Sequence, residues 1–185
     1  MRRTLAVVLA VMVLVGASVL GAQKKDSIVV GLSSDVNNWH AGWHNGSIEE
    51  GLVQNIYETL FMFDENARSV PCLAVSYKNI SPLVWEIKLR PNVKFTNGEP
   101  FNAHSAKWSL ETHRDDPKVT SRSWLASIKE VEVVDELTIR IHTTHPDPEL
   151  INELTWAGEQ MPLKYGKEEY GKKMTTQPVG TGPYK

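Results

Sequence analysis

A single cysteine, Cys72, stands in 185 residues. That scarcity excludes an intrachain disulfide and any cysteine-based zinc cluster. Charge of one sign is also lacking, since 20 Lys and Arg face 22 Asp and Glu for a formal net charge of -2. No basic cluster is dense enough to displace phosphate counterions, so nucleic acid is not an expected partner. There are no internal repeats and no low-complexity tract. Catalytic signatures are missing as well: no Gly-x-Ser-x-Gly elbow, no Gly-x4-Gly-Lys-Ser/Thr loop and no His-Glu-x-x-His. Gly180-Thr181-Gly182 is too short for a dinucleotide turn, and Pro183 forbids the helix that would follow it. What is present, 41% hydrophobic and 23% charged residues, has globular proportions. The length suits one domain that buries roughly 70% of its unfolded surface.

The one long apolar run is N-terminal. Met1-Arg2-Arg3 forms a positive start, Leu5–Val15 is unbroken and apolar, and Gly16-Ala17-Ser18 and the residues to Ala22 are mostly small. This is the pattern of a cleaved signal peptide over residues 1–22. An uncleaved anchor is the alternative, because 18 mostly apolar residues (Leu5–Ala22) are borderline for spanning a bilayer. No cysteine stands at the cleavage region, so a lipid anchor is not expected, and Arg2-Arg3 alone does not define the export route. A periplasmic or extracellular location follows as the expectation.

Along the mature chain, Ser27–Leu32 is β-branched and reads as a short buried strand. Val36–Gly46 is a loop dense in Asn, Trp, His and Gly. Ser47 with Glu50 forms a capping-box pattern, and Ile48, Leu52, Ile56 and Leu60 repeat along one helical face. Val75–Ile80 and Val84–Leu89 read as an antiparallel pair; Trp85, Ile87 and Leu89 alternate with Val84, Glu86 and Lys88. Asn97-Gly98 marks a tight turn. Asn102 is placed to cap a helix through Ala103, Ala106, Trp108 and Leu110 that ends before Asp115-Asp116-Pro117. Lys129–Val134 and Leu137–His142 form a hairpin with Leu137, Ile139 and Ile141 inward, and Pro148–Trp156 is helical. The final Gly180-Thr181-Gly182-Pro183 turn delivers Tyr184-Lys185 as the first step of a strand, so the chain is expected to be an N-terminal fragment of a longer protein.

Among candidate sites, Trp39, His40, Trp43 and His44 form the densest cluster. The two histidines at i, i+4 could share a metal in a helix, but the surrounding Asn and Gly residues argue against a helix and hence against a metal. Trp39 and Trp43 are better read as faces for stacking on a sugar or peptide side chain, or as ordinary packing. His142, His145 and Asp147 fall close in sequence, with Pro146 and Pro148 stiffening a surface turn. Cys72 is most simply a small buried hydrophobe.

Four blocks carry a resemblance. Ile56-Tyr57-Glu58-Thr59-Leu60 with Pro71-Cys72-Leu73-Ala74, then Trp85–Ala103 (WEIKLRPNVKFTNGEPFNA), then Val133–Ile139 (VVDELTI), then Pro178–Lys185 (PVGTGPYK) resemble, in order, the family 5 solute-binding proteins of ABC transporters. Many members carry an acid in the first helical turn where this chain has His104-Ser105, which removes a favourable helix-dipole contact. The resemblance implies an α/β chain, locally α+β. It would be part of the first lobe of a two-lobed type II periplasmic-binding-protein fold, with the second lobe missing. Residues 23–46 would supply the first strand and ligand-side loop, 47–177 a peripheral subdomain, and 178–185 the return into the main lobe. It further implies a non-enzymatic, cofactor-free, monomeric protein that captures a solute and passes it to an ABC permease. Peptide is favoured, with a nickel chelate or oligosaccharide as the alternative; an exported hydrolase using Asp35/His40 or His145/Asp147 is a rival of another class. Ser33, Ser34 and Asp35 are implied as pocket lining, Thr181 and Gly182 as hinge-side contacts, and Trp124 as matching a Trp of the nickel-binding subgroup.

Overall fold

The structure is a computed structural model. It describes residues 29, 31–33, 36, 38–44 and 47–184, and of Ser47 only the backbone. The chain divides into two units, 1–33 and 34–185. The leader expected over 1–22 lies outside the described residues. So does most of the strand expected over 27–32. Its described members, Val29, Gly31 and Leu32, have no regular secondary structure, and Val29 is 95% exposed.

The second unit is built on a four-stranded antiparallel sheet of strands β3 (Ala74–Ser81), β4 (Val84–Leu89), β5 (Ile128–Asp135) and β6 (Thr138–Thr143). Their order is β3-β4-β6-β5. Period-2 alternation decides its faces. Ile87 pairs with Ile139 and Ile139 with Val133; Trp85 pairs with Ile141 and Ile141 with Val131. Ile87, Val131, Ile139 and Ile141 are fully buried. On the other face the intervening positions carry charge: Arg140 donates to Glu86 at 2.9–3.0 Å, and His142 lies 2.8 Å from Glu132. Two short strands, β1 (Phe61–Phe63) and β2 (Ser69–Pro71), form a separate ribbon.

The longest helix among the described residues, α2 (Ala103–Asp115), buries Ala103, Ala106, Leu110 and His113 at helical spacing and packs on β5 and β6. Its start explains the missing acid. Asn102 Oδ1 accepts from the His104 and Ser105 amides, and Ser105 Oγ accepts from the Asn102 amide, a reciprocal capping box with serine in place of glutamate. Helix α3 (Leu150–Trp156) packs against β1 and β2, and α4 (Leu163–Glu169) against α2. No helix among the described residues is long and apolar enough to cross a membrane.

Helix α1 (Ser47–Val53) is shorter than its apolar repeat predicts. The chain leaves the helix after Val53, and Leu60 lies just before β1 rather than on a helical face. Two carbonyls explain the stop. Asn55 O and Ile56 O accept from the Tyr184 and Gly182 amides, at 3.2 and 2.9 Å, instead of from residues one turn ahead. The Asn55 side chain also turns back to Gly51 O at 2.7 Å, a bond that competes with helix continuation. The buried stripe is Val53, Ile56 and Tyr57, while Ile48 and Leu52 are only partly covered. The capping role expected of Ser47 falls on a side chain outside those described.

Candidate functional site

The C-terminal return positions the site. Gly180 and Gly182 run so close to residues 55–57 that a Cβ on Gly180 would lie 1.9 Å from Ile56 O, and one on Gly182 2.5 Å from Asn55 O. Only glycine permits this approach. Thr96 N donates to Gly180 O at 2.9 Å and ties the same segment to the Asn97-Gly98 turn. Thr181 Oγ1 is buried there without a hydrogen-bond partner.

Beside this junction opens a cleft of about 260 Å³. Its lining includes Glu50, Tyr57, Glu58 and Glu159 together with Met62, Phe63, Trp156 and Pro183. Trp156 packs edge-on to Phe63 at 4.9 Å between ring centroids and is 48% exposed.

Behind the cleft lies a buried polar cluster. His44 Nε2 is 3.0 Å from Glu159 Oε1 and its Nδ1 is 3.9 Å from Glu50; His113 Nδ1 is 3.5 Å from the other Glu159 oxygen. Burial opposes charge on both partners of the central pair. It works to lower His44, but the Glu159 hydrogen bond and the charges of Glu159, Glu50 and Glu49 outweigh it and raise the imidazole above its ordinary value. Burial likewise works to raise Glu159, yet the His44 hydrogen bond and the fields of His113 and His44 hold it below the usual carboxylate range. His113 is lowered by burial, and His40 is lowered to about 4 for the same first reason. Glu159 thus favours the charged form of His44, while burial favours the neutral forms of His113 and His40.

None of the predicted Trp39, Trp43 and Trp124 lines the cleft, and Trp43 packs beside the buried His40. Trp43 stacks on His40 at 3.9 Å, donates its indole N–H to Asp116 at 2.9 Å, and lies under Lys118 Nζ at 4.5 Å. Tyr170 donates to the same Asp116 oxygen at 2.5 Å. Burial alone would push the Asp116 carboxyl up, but the hydrogen bonds from Tyr170, the Lys118 amide and Trp43 hold it down. The Trp39 amide donates to Thr175 O at 2.9 Å, and its ring packs against the Ala41, Val53, Tyr57 and Met174 cluster. Trp124 is 47% exposed in a short 3-10 turn, Arg122–Leu125. Ser33 is exposed, and Ser34 and Asp35 lie outside the described residues. Thr181 and Gly182 meet residues 55–57, next to the cleft, but only their neighbour Pro183 lines it.

The histidine pairs fare differently. His40 turns Nδ1 to Ala41 O at 2.6 Å while His44 faces Glu159, and no group of three or more His, Cys, Asp or Glu among the described residues could hold a metal. His145 lies 3.0 Å from Thr144 Oγ1, and Asp147 caps the Glu149 amide. Glu50, Glu58, Trp156 and Glu159 line the cleft without belonging to any functional-site motif in the sequence. The available signal was Glu159-Gln160, two polar residues within the otherwise apolar or small run Leu154–Pro162.

An antiparallel sheet with helices packed on it, closed by a glycine-tight return, is one portion of a type II periplasmic binding protein. A structure of MoaA with mannopinic acid from A. tumefaciens R10 matches with a TM-score of 0.72 and 31% identity, covering 82% of this chain and 32% of that one. NikZ from Campylobacter jejuni in complex with Ni(L-His) matches with a TM-score of 0.73 and 26% identity, over 87% of this chain and 33% of that one. The model for bacterial extracellular solute-binding proteins, family 5, middle region, matches residues 68–185, and the chain belongs to this family. A glutathione-binding protein, GsiB of Pectobacterium atrosepticum, is 33% identical over 143 residues, which are 76% of this chain and 28% of that protein. The chain thus spans less than a third of the length of this relative.

Proposed function

We propose that the chain is part of an exported, non-enzymatic solute-binding protein that captures a small solute and delivers it to an ABC permease. The observation that carries this reading is the cleft bordered by residues 50–63, Trp156, Glu159 and Pro183, in a chain of the family 5 solute-binding proteins. Peptide is the favoured solute, and the similarity to glutathione-binding proteins supports it. Residues 1–22 act as the signal peptide, 23–46 as the first strand and ligand-side loop, 47–177 as the peripheral subdomain and 178–185 as the return. The protein works as a monomer outside the cytoplasm. Ligand contacts made only in a closed state draw an open–closed equilibrium toward closure. Of the predicted residues, Thr181 and Gly182 act through the 55–57 junction, whereas Ser33, Ser34, Asp35, Trp39, Trp43 and Trp124 contribute as ligand-side surface.

Thermal shift and calorimetric titration with glutathione and short-peptide mixtures test the reading. Saturable stabilisation is expected. No heat and no shift with any of them would overturn it. The similarity to NikZ favours a nickel–histidine chelate as the second solute to titrate.

A further inference from the structure

We infer that the part of the solute seated in this cleft carries a primary ammonium group on a short apolar stem. The inference rests on the solute-binding reading and names the chemistry of that site. Three carboxylates, Glu50, Glu58 and Glu159, line the cleft, and no Lys, Arg or His does. Glu159 is the least exposed of them, at 4%, and its Oε2 accepts no hydrogen bond, with His113 Nδ1 3.5 Å away. Glu58 Oε1 accepts only from the Cys72 thiol, a weak donor at 3.5 Å.

The neighbouring cations do not balance these acids. His44, behind the wall, is shared between Glu159 at 3.0 Å and Glu50 at 3.9 Å, and Glu49 acts on it too. His113 is kept neutral by burial, and Arg90 is felt at Cys72. A solute carboxylate or phosphate entering here would meet like charges in a partly desolvated space, whereas an ammonium would be drawn in. The apolar lining agrees. Phe63, Met62 and half-exposed Trp156 cover an aliphatic stem, and an indole face attracts an alkylammonium. At about 260 Å³ the space fits one aminoalkyl end rather than a whole peptide. A bare metal cation fits less well. Burial and Glu58 push the Cys72 thiol up to about 12, so it supplies no thiolate, and no metal-holding group occurs among the described residues.

The experiment follows the Trp156 indole N–H by NMR on the 185-residue chain during titration with butylammonium, butanol and butyrate. Butylammonium should shift it saturably. Butanol and butyrate should not. Glu50→Gln and Glu58→Gln should each weaken butylammonium by about threefold or more, the size of one exposed ion pair, with unchanged circular dichroism. An equal response to butanol would reduce the site to an apolar hollow, and a stronger response to butyrate or none to butylammonium would overturn the inference. A lysine-containing dipeptide and its fully N-acetylated form separate the two levels. If both bind equally, solute binding stands and the ammonium inference falls. If neither binds while butylammonium does, the peptide reading falls and the ammonium site stands.

Discussion

Two charged regions of this molecule follow different rules. On the outer face of the sheet, Glu86, Arg140 and Glu132 lie side by side across three strands, with Arg140 35% exposed. In the interior, His44, His113 and Glu159 come from three distant segments and are 5% exposed or less. The surface row is an arrangement water would tolerate in pieces. The buried cluster works only as a whole, because each member's charge is set by the others against a burial cost. Ion pairs that look alike by distance therefore differ several-fold in consequence.

The strongest break of this contrast is Glu159→Ala. It leaves buried His44 without its hydrogen-bond partner and removes the carboxylate facing His113. A loss of about 3–5 kcal/mol in chemical denaturation is expected, the cost of orphaning one partner of a buried pair. Substitution at the same depth without charge comes next. Gly180→Ala drives a Cβ into the Ile56 carbonyl, and since backbone cannot yield as a side chain does, roughly 1–3 kcal/mol should be lost. Gly98→Ala is its control: no atom lies within 4 Å of the added Cβ, although φ is +90°, so only backbone strain remains.

What the sequence made legible divides along the same line. Strands β4, β5 and β6 were readable because Ile87, Ile139 and Ile141 alternate with polar residues, a local pattern with a local cause. Helix α2 was readable from Asn102 and the spacing of Ala103, Ala106 and Leu110. The end of α1 was not, because it is fixed by hydrogen bonds from Gly182 and Tyr184, more than a hundred residues away. The site was obscure for the same reason. Trp39 and Trp43 drew attention as aromatic residues in a loop, yet Trp43 is engaged by His40, Asp116 and Lys118. Glu159 gave no periodic signal, and its partner His44 lies 115 residues earlier.

A pH series sharpens the comparison. His44 is raised in the folded state, so its contribution is full below the unfolded value of 6.5 and is lost as pH rises through the higher folded value. Glu159 is lowered, so its contribution is present above 4.5 and is lost as pH falls through its folded value. His40 and His113, both lowered, draw protons into the unfolded chain below 6.5 and erode stability on the acid side. Thermal denaturation of wild type and His44→Gln should accordingly differ most between pH 4.5 and 6.5, where Glu159 stays ionised, and converge as pH rises through the folded His44 value. A gap that widens with alkalinity would contradict the ionic pair. Glu153 offers a separate alkaline effect. Burial and then the Asp147 charge push it up to about 7, so its contribution is full below 4.5 and declines as pH rises through about 7. Glu153→Gln should be more stable than wild type above that value.

The smallest effect belongs to the surface row. Glu86→Gln removes the partner of Arg140, but Arg140 keeps a second carboxylate, Glu132, at 3.9 Å and water on its open side. The cost should be about 0.2–1 kcal/mol, with most of it screened away at high salt. A double-mutant cycle of Glu86→Gln and Arg140→Gln, run at low and high ionic strength, measures the coupling directly. Burial of the paired atoms, rather than their separation, then accounts for the contrast: Arg140 Nη2–Glu86 at 2.9 Å and His44–Glu159 at 3.0 Å are nearly equal in length. A coupling across the sheet as large and salt-insensitive as that expected for Glu159 would show instead that the register of β4 and β6 pre-orders this pair strongly enough to offset its exposure.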